Sequence, residues 1–140
     1  MQQHISAAER VPVRVAIITL DSHLAGAIER ARPALERDIP GFEITLHAAT
    51  DWARDAEALA QCRADIARAD FIITTMLFME DHINPVLADL AARRDSCDAI
   101  LCGMSAGEVI RLTRLGGFTM TGSDKGVLSL GLLIAAVALQ

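Results

Sequence analysis

Val13-Arg14-Val15-Ala16-Ile17-Ile18-Thr19-Leu20, followed at once by Asp21-Ser22-His23, is the stretch that decides how this chain is read. The run is apolar and rich in β-branched residues, which suit a pleated surface, and it stops at polar turn-formers. It predicts a buried central strand feeding a turn.

Beyond it the period changes. Leu24, Ile28, Ala31 and Leu35 fall at helical spacing, and Pro33 is expected to kink that helix or end it near Arg32. Pro40 and Gly41 punctuate the chain, after which Phe42, Ile44 and Leu46 alternate with Glu43, Thr45 and His47. That period of two marks a half-exposed strand, expected at a sheet edge. Asp55 is placed to cap a helix whose Leu59, Cys62, Ile66 and Ala69 share one face and which closes at Asp70. Residues 71–75 read as a short apolar strand. Ile83, Val86, Leu87 and Leu90 then mark a helix, with Asn84 as its N-cap and Pro85 at its first position. A fourth strand, 99–102, leads into Gly103 and a helix from Ser105 to about Leu115, stopped by Gly116 and Gly117.

A strand-helix unit repeated in this way implies a parallel sheet, since each crossover helix must pack on a face. The expected fold is α/β, doubly wound, flavodoxin-like or Rossmann-like, with about four parallel strands and helices on both faces. In the flavodoxin-like order 2-1-3-4, the switch point lies between the first and third strands, at their carboxyl ends. The residues that follow those ends are Asp21, Ser22 and His23 on one side and Met79, Glu80, Asp81 and His82 on the other, with His47 and Ser105 nearby.

The 140 residues are 52% hydrophobic, enough for one domain with its own core and no need of disulfide or metal staples. Net charge is −5 and aromatic content 4% with no Tyr, which argues against nucleic acid as a partner. Cys62, Cys97 and Cys102 are odd in number and form no C-x-x-C pair, pointing to a reducing cytoplasm. Residues 1–10 lack the pattern of a signal peptide. The apolar segment 127–139 is shorter than the roughly 20 residues a spanning helix needs, so no transmembrane span is expected. Residues 1–12 read as a flexible tail, 13–120 as the domain, and 121–140 as an apolar segment that is cut short or faces a partner, including a second copy.

Several motifs invite chemistry. Gly103-Met104-Ser105-Ala106-Gly107 matches the G-x-S-x-G nucleophile elbow of a small serine hydrolase. In that fold the histidine follows the serine, whereas His4, His23, His47 and His82 all precede Ser105. Ser105 with Glu108 also reads as an S-x-x-E capping box, the simpler account, and the same turn could present amides to an anion. Neither G-x-G-x-x-G after the first strand nor a Walker lysine is present, so nucleotide binding has no support. A receiver-type phosphoacceptor would need an aspartate where Thr74, Thr75 and Met76 stand. His23 and His82, with Asp21, Glu80 and Asp81, could ligate a divalent metal or form the polar rim of a crevice, although helix caps and solvated histidines explain them as well. Met76, Leu77, Phe78 and Met79 form an apolar loop where strands usually turn polar, suited to a flat apolar ligand, to a protein surface, or to burial under a neighbouring element.

A family resemblance runs through these segments. The runs Thr19-Leu20-Asp21-Ser22-His23, Cys62-Arg63-Ala64-Asp65-Ile66-Ala67-Arg68-Ala69-Asp70, Met76-Leu77-Phe78-Met79-Glu80-Asp81-His82, Met104-Ser105-Ala106-Gly107-Glu108 and Thr113-Arg114-Leu115-Gly116 resemble the amino-terminal domain of the large, porphyrin-binding H subunit of magnesium chelatase. The likeness covers about residues 13–120, and the cobalt chelatase large subunit is a more distant one. The resemblance implies a complex that inserts Mg²⁺ into protoporphyrin IX for chlorophyll and bacteriochlorophyll synthesis. In it ATP is hydrolysed by two other subunits, one an AAA+ motor. It also implies that this chain is the first part of a much longer subunit, non-catalytic by itself and without a cofactor of its own. No catalytic residue and no metal ligand is carried across; Asp21, His23, Met79, Glu80, His82 and Ser105 are the expected crevice residues.

Overall fold

The opening run folds as β1 (Val13–Thr19), flanked by β2 (Phe42–Ala48) and β3 (Phe71–Thr75), in a computed structural model that describes residues 12–120. β3 pairs in turn with β4 (Ala99–Gly103), and all these pairings are parallel. Of the orders open to such a sheet, the flavodoxin-like 2-1-3-4 is therefore present, with β2 at an edge as expected. Beyond β4 the sheet gains two short antiparallel strands, β5 (Arg114–Leu115) and β6 (Phe118–Thr119), which the sequence reading did not include.

Helices α1 (Ala25–Asp38), α2 (Ala56–Arg68) and α3 (Glu80–Arg93) connect the parallel strands, and the short α4 (Gly107–Ile110) follows β4. The chain steps from β1 out to β2, then back across β1 to β3. Right-handed crossovers in opposite directions put α1 on one face and α2 with α3 on the other. Consistently, α2 packs along α3 while α1 packs against β2. Ala16, Ile18, Ile72, Ile100 and Cys102 from the sheet join Cys62, Ile66, Ile83, Val86, Leu90 and Val109 in one buried cluster. The alternate strand residues point to the α1 face.

Asp70 aligns three strands at their amino ends. Its carboxylate accepts from the Arg14 amide at 2.8 Å, its own amide donates to Arg14 O at 2.8 Å, and its carbonyl accepts from Asp98 N at 2.8 Å. At the other margin Val13 N donates to Gly41 O at 3.2 Å. Gly41 has φ +86, a conformation that strains any side chain, and an added Cβ would stand a tight 3.3 Å from Pro12 Cα.

Three helix boundaries differ from expectation. α1 runs through Pro33 to Asp38 instead of ending near Arg32; Pro33 is exposed, so the Glu29 carbonyl that loses its amide partner can turn to water. α3 begins at Glu80 with Met79 as N-cap, and Pro85 lies inside it rather than at its start. The buried residues Ile83, Val86 and Leu90 anchor it, and Asp81, whose carbonyl Pro85 cannot satisfy, is exposed. The helix expected from Ser105 to Leu115 is confined to Gly107–Ile110. Gly116 and Gly117 are not a helix stop but the two-residue loop of the β5–β6 hairpin, with Gly116 at φ +59.

No helix among the described residues is long and apolar enough to cross a membrane. The expectations for the tail, save Pro12, and for segment 121–140 fall outside the described residues.

Candidate functional site

Parallel pairing delivers the turns after β1, β3 and β4 to one rim of the sheet. The latter two turns are interlocked. Met76 N donates to Met104 O at 2.9 Å, and Ala106 N donates to Leu77 O at 2.9 Å. Leu77 N donates to Ser105 Oγ at 3.1 Å, and that hydroxyl donates to Gly103 O at 3.0 Å. Met76 (φ 62) and Met104 (φ 46) both occupy the left-handed region, which costs a non-glycine residue about 1–2 kcal/mol each. Leu77 is fully buried beneath the rim, while Phe78, Met79 and Met104 are 57%, 61% and 62% exposed. Burying one residue of the loop turns its neighbours outward, and the two turns together present three large apolar side chains beside the exposed Glu80 and Asp81. Phe78 and Met104 were not among the expected crevice residues; the only signal for Met104 was its place in a strand-to-helix turn.

Ser105 belongs to the scaffold of this rim. It is 6% exposed, its hydroxyl is engaged by two backbone groups, and among the described residues no histidine is hydrogen-bonded to it. The expected capping box is absent as well, because α4 starts later, with Ala106 as N-cap and no side-chain cap. Glu80 and Asp81 lie in the first turn of α3, where negative charge is favoured by the helix dipole. His82 donates its backbone amide to Met79 O at 2.9 Å, and its Nδ1 is buried with no partner among the described residues.

At the β1 turn, Asp21 caps a short 3₁₀ segment, Ser22–Leu24, by accepting from His23 N at 3.0 Å, and it also contacts His23 Nδ1. The backbone bond foremost, and the imidazole next, hold the Asp21 carboxyl below its usual range. Among the described residues no hydrogen bond or ion pair joins Asp21 or His23 to Glu80 or His82. Nor do three His, Cys, Asp or Glu side chains converge there as a metal site.

His47 has a different setting. It shares a face with Ile18 and meets α2, where its Nε2 lies 2.8 Å from the Asp65 carboxylate, which also accepts from Gln61 and Arg68, each at 3.2 Å. Burial lowers the imidazole pKa from 6.5 although Asp65 opposes that shift. The only clue to this pair was a charged Asp65 between Cys62 and Ile66 on a buried helix stripe. The thiols of Cys62 and Cys102, raised to about 12 by burial, are not nucleophiles at neutral pH.

A family model described as a domain of unknown function, DUF3479, matches residues 14–132. The chain belongs to this family. This DUF3479 domain is 41% identical over 116 residues to the magnesium-chelatase H subunit of Cereibacter sphaeroides, covering 83% of the chain and 10% of that protein. It is 34% identical over 116 residues to the magnesium-chelatase H subunit of Rhodobacter capsulatus, with the same coverage. To the chloroplastic magnesium-chelatase ChlH subunit of Oryza sativa subsp. indica it is 30% identical over 112 residues, 78% of the chain and 8% of that protein. The DUF3479 domain thus spans about a tenth of the length of the curated relatives it matches, and it is their amino-terminal region that it is similar to.

Proposed function

We propose that this chain is the amino-terminal module of the porphyrin-binding subunit of a magnesium chelatase, which inserts Mg²⁺ into protoporphyrin IX with ATP hydrolysed by partner subunits. The observation that carries the reading is the 41% identity to a magnesium-chelatase H subunit across 83% of the chain. The module is itself non-catalytic and acts in the reducing cytoplasm. Its partners are the rest of the large subunit and the two other chelatase subunits, one an AAA+ motor. Its rim, with Phe78, Met79 and Met104 beside Glu80 and His82, forms the surface that meets the tetrapyrrole or controls access to it, and Asp21 and His23 border that surface. Two features support a rim used for contact: large apolar side chains held in water, and left-handed backbone at Met76 and Met104. Ser105 supports the rim from beneath and does no hydrolysis; fluorophosphonate should leave it unlabelled.

The test is a full-length large subunit carrying Phe78→Ser and Met104→Ser, reconstituted with its two partners, ATP, Mg²⁺ and protoporphyrin IX. Insertion should fall at least tenfold while the subunit keeps its circular dichroism. An unchanged insertion rate would overturn the assigned role of the rim. Titrating protoporphyrin IX into the 140-residue chain and following the Soret band separates direct contact from gating, since only contact shifts the band.

A further inference from the structure

The face of the sheet opposite α2 and α3 is only half covered. In-register pairing aligns Val15, Phe71, Ala99, Leu115 and Phe118 in one row across β1, β3, β4, β5 and β6, with Ile73 and Leu101 in the next row. All of these lie on the α1 side, because their neighbours Ala16, Ile72 and Ile100 enter the core beneath α2 and α3. α1 packs against β2 at the far edge, and α4 sends Val109 into the opposite core. Among the described residues no helix lies over β3, β4 and β5 on this side. Phe71 and Phe118 are 39% and 38% exposed, and Ile73, Leu101 and Leu115 are partly so. A doubly wound sheet needs both faces covered, since its central strands are apolar on both sides.

We propose that residues 127–139 of this same chain dock on that face and complete the second layer. The segment is apolar on every side but for Ser129, so it needs cover as much as the face does. It follows directly from the adjoining edge: the described chain leaves β6 at Met120, whose amide donates to Thr113 O at 3.3 Å. Residues 121–126, Thr-Gly-Ser-Asp-Lys-Gly, are polar or glycine and reach roughly 20 Å when extended. The distance back from β6 to β3 is three strand spacings, about 14 Å. The linker therefore spans the return with length to spare. The inference is independent of the role assigned to the rim, which lies at the strand ends.

The experiment places the photo-reactive p-benzoylphenylalanine at Phe71, and separately at Phe118, in the 140-residue chain. Both positions are more than one-third exposed, and circular dichroism confirms folding before irradiation. Equal amounts of ¹⁵N-labelled and unlabelled chains are mixed, and the cross-linked peptides are identified by mass spectrometry. Docking predicts that most cross-links from either position land in 127–139 with both peptides carrying the same isotope. Mixed-isotope pairs would assign the face to a second copy and overturn the proposal. So would cross-links confined to other segments, or no cross-link in a chain that is folded.

Discussion

Ser105 carries the plainest lesson at the scale of single residues. In sequence it resembles a nucleophile or a helix cap, yet in space its hydroxyl serves Leu77 N and Gly103 O. Ser105→Ala leaves the Leu77 amide buried and unpaired, at a cost of about 1–3 kcal/mol. Urea denaturation should show a lower midpoint with an unchanged slope. His47 yields a pH prediction. Its pKa is lowered in the folded chain, chiefly by burial and against the pull of Asp65, so the unfolded chain takes up the proton first. His47 therefore contributes full stability above pH 6.5, and that contribution declines as pH falls below it. Comparing unfolding free energies at pH 7.5 and 5.5, His47→Gln should lose less on acidification than the wild type. An equal loss in both would remove His47 as a contributor.

At the scale of elements, period and punctuation mark strands well and helix ends poorly. β1 to β4 were legible because apolar runs and alternation report burial directly. Pro33 does not end its helix and Pro85 does not start one, because both occupy helices whose orphaned carbonyls belong to exposed residues. Pro33→Ala should accordingly stabilise the chain by about 2 kcal/mol, less than the roughly 3 kcal/mol intrinsic difference because the unfolded chain gains freedom. The thermal midpoint is the readout. The β5–β6 hairpin was not legible, since nothing local draws residues 111–115 out of a helix. Long-range bonds do so: Thr113 Oγ1 accepts from Cys102 N at 3.0 Å and donates to Cys102 O at 3.1 Å, while Arg114 donates to Arg94 O at 2.7 Å and also to Cys97 O. Gly116→Ala, forced into a left-handed conformation, should cost about 1–2 kcal/mol by chemical denaturation.

For the whole molecule, stability and function separate onto different surfaces. Leu77, Ile83 and Val109 hold the rim turns onto the core, and Leu77→Ala should cost about 2–5 kcal/mol. Phe78→Ser with Met104→Ser, at exposed positions, should change stability by no more than about 1 kcal/mol together. Any loss of insertion activity in that pair would then report contact rather than unfolding.

The α/β class and the family were legible in the order of residues alone, because side-chain periodicity and long ordered matches are properties of neighbours along the chain; the strand order needed the pairings between distant segments. Folding in three dimensions was needed to show which rim residues face water, that Ser105 is spent on backbone groups, that His47 meets Asp65, and that the described sheet ends in a hairpin. Most of these depend on packing and hydrogen bonds between residues far apart in sequence, and local composition carries no record of such partners.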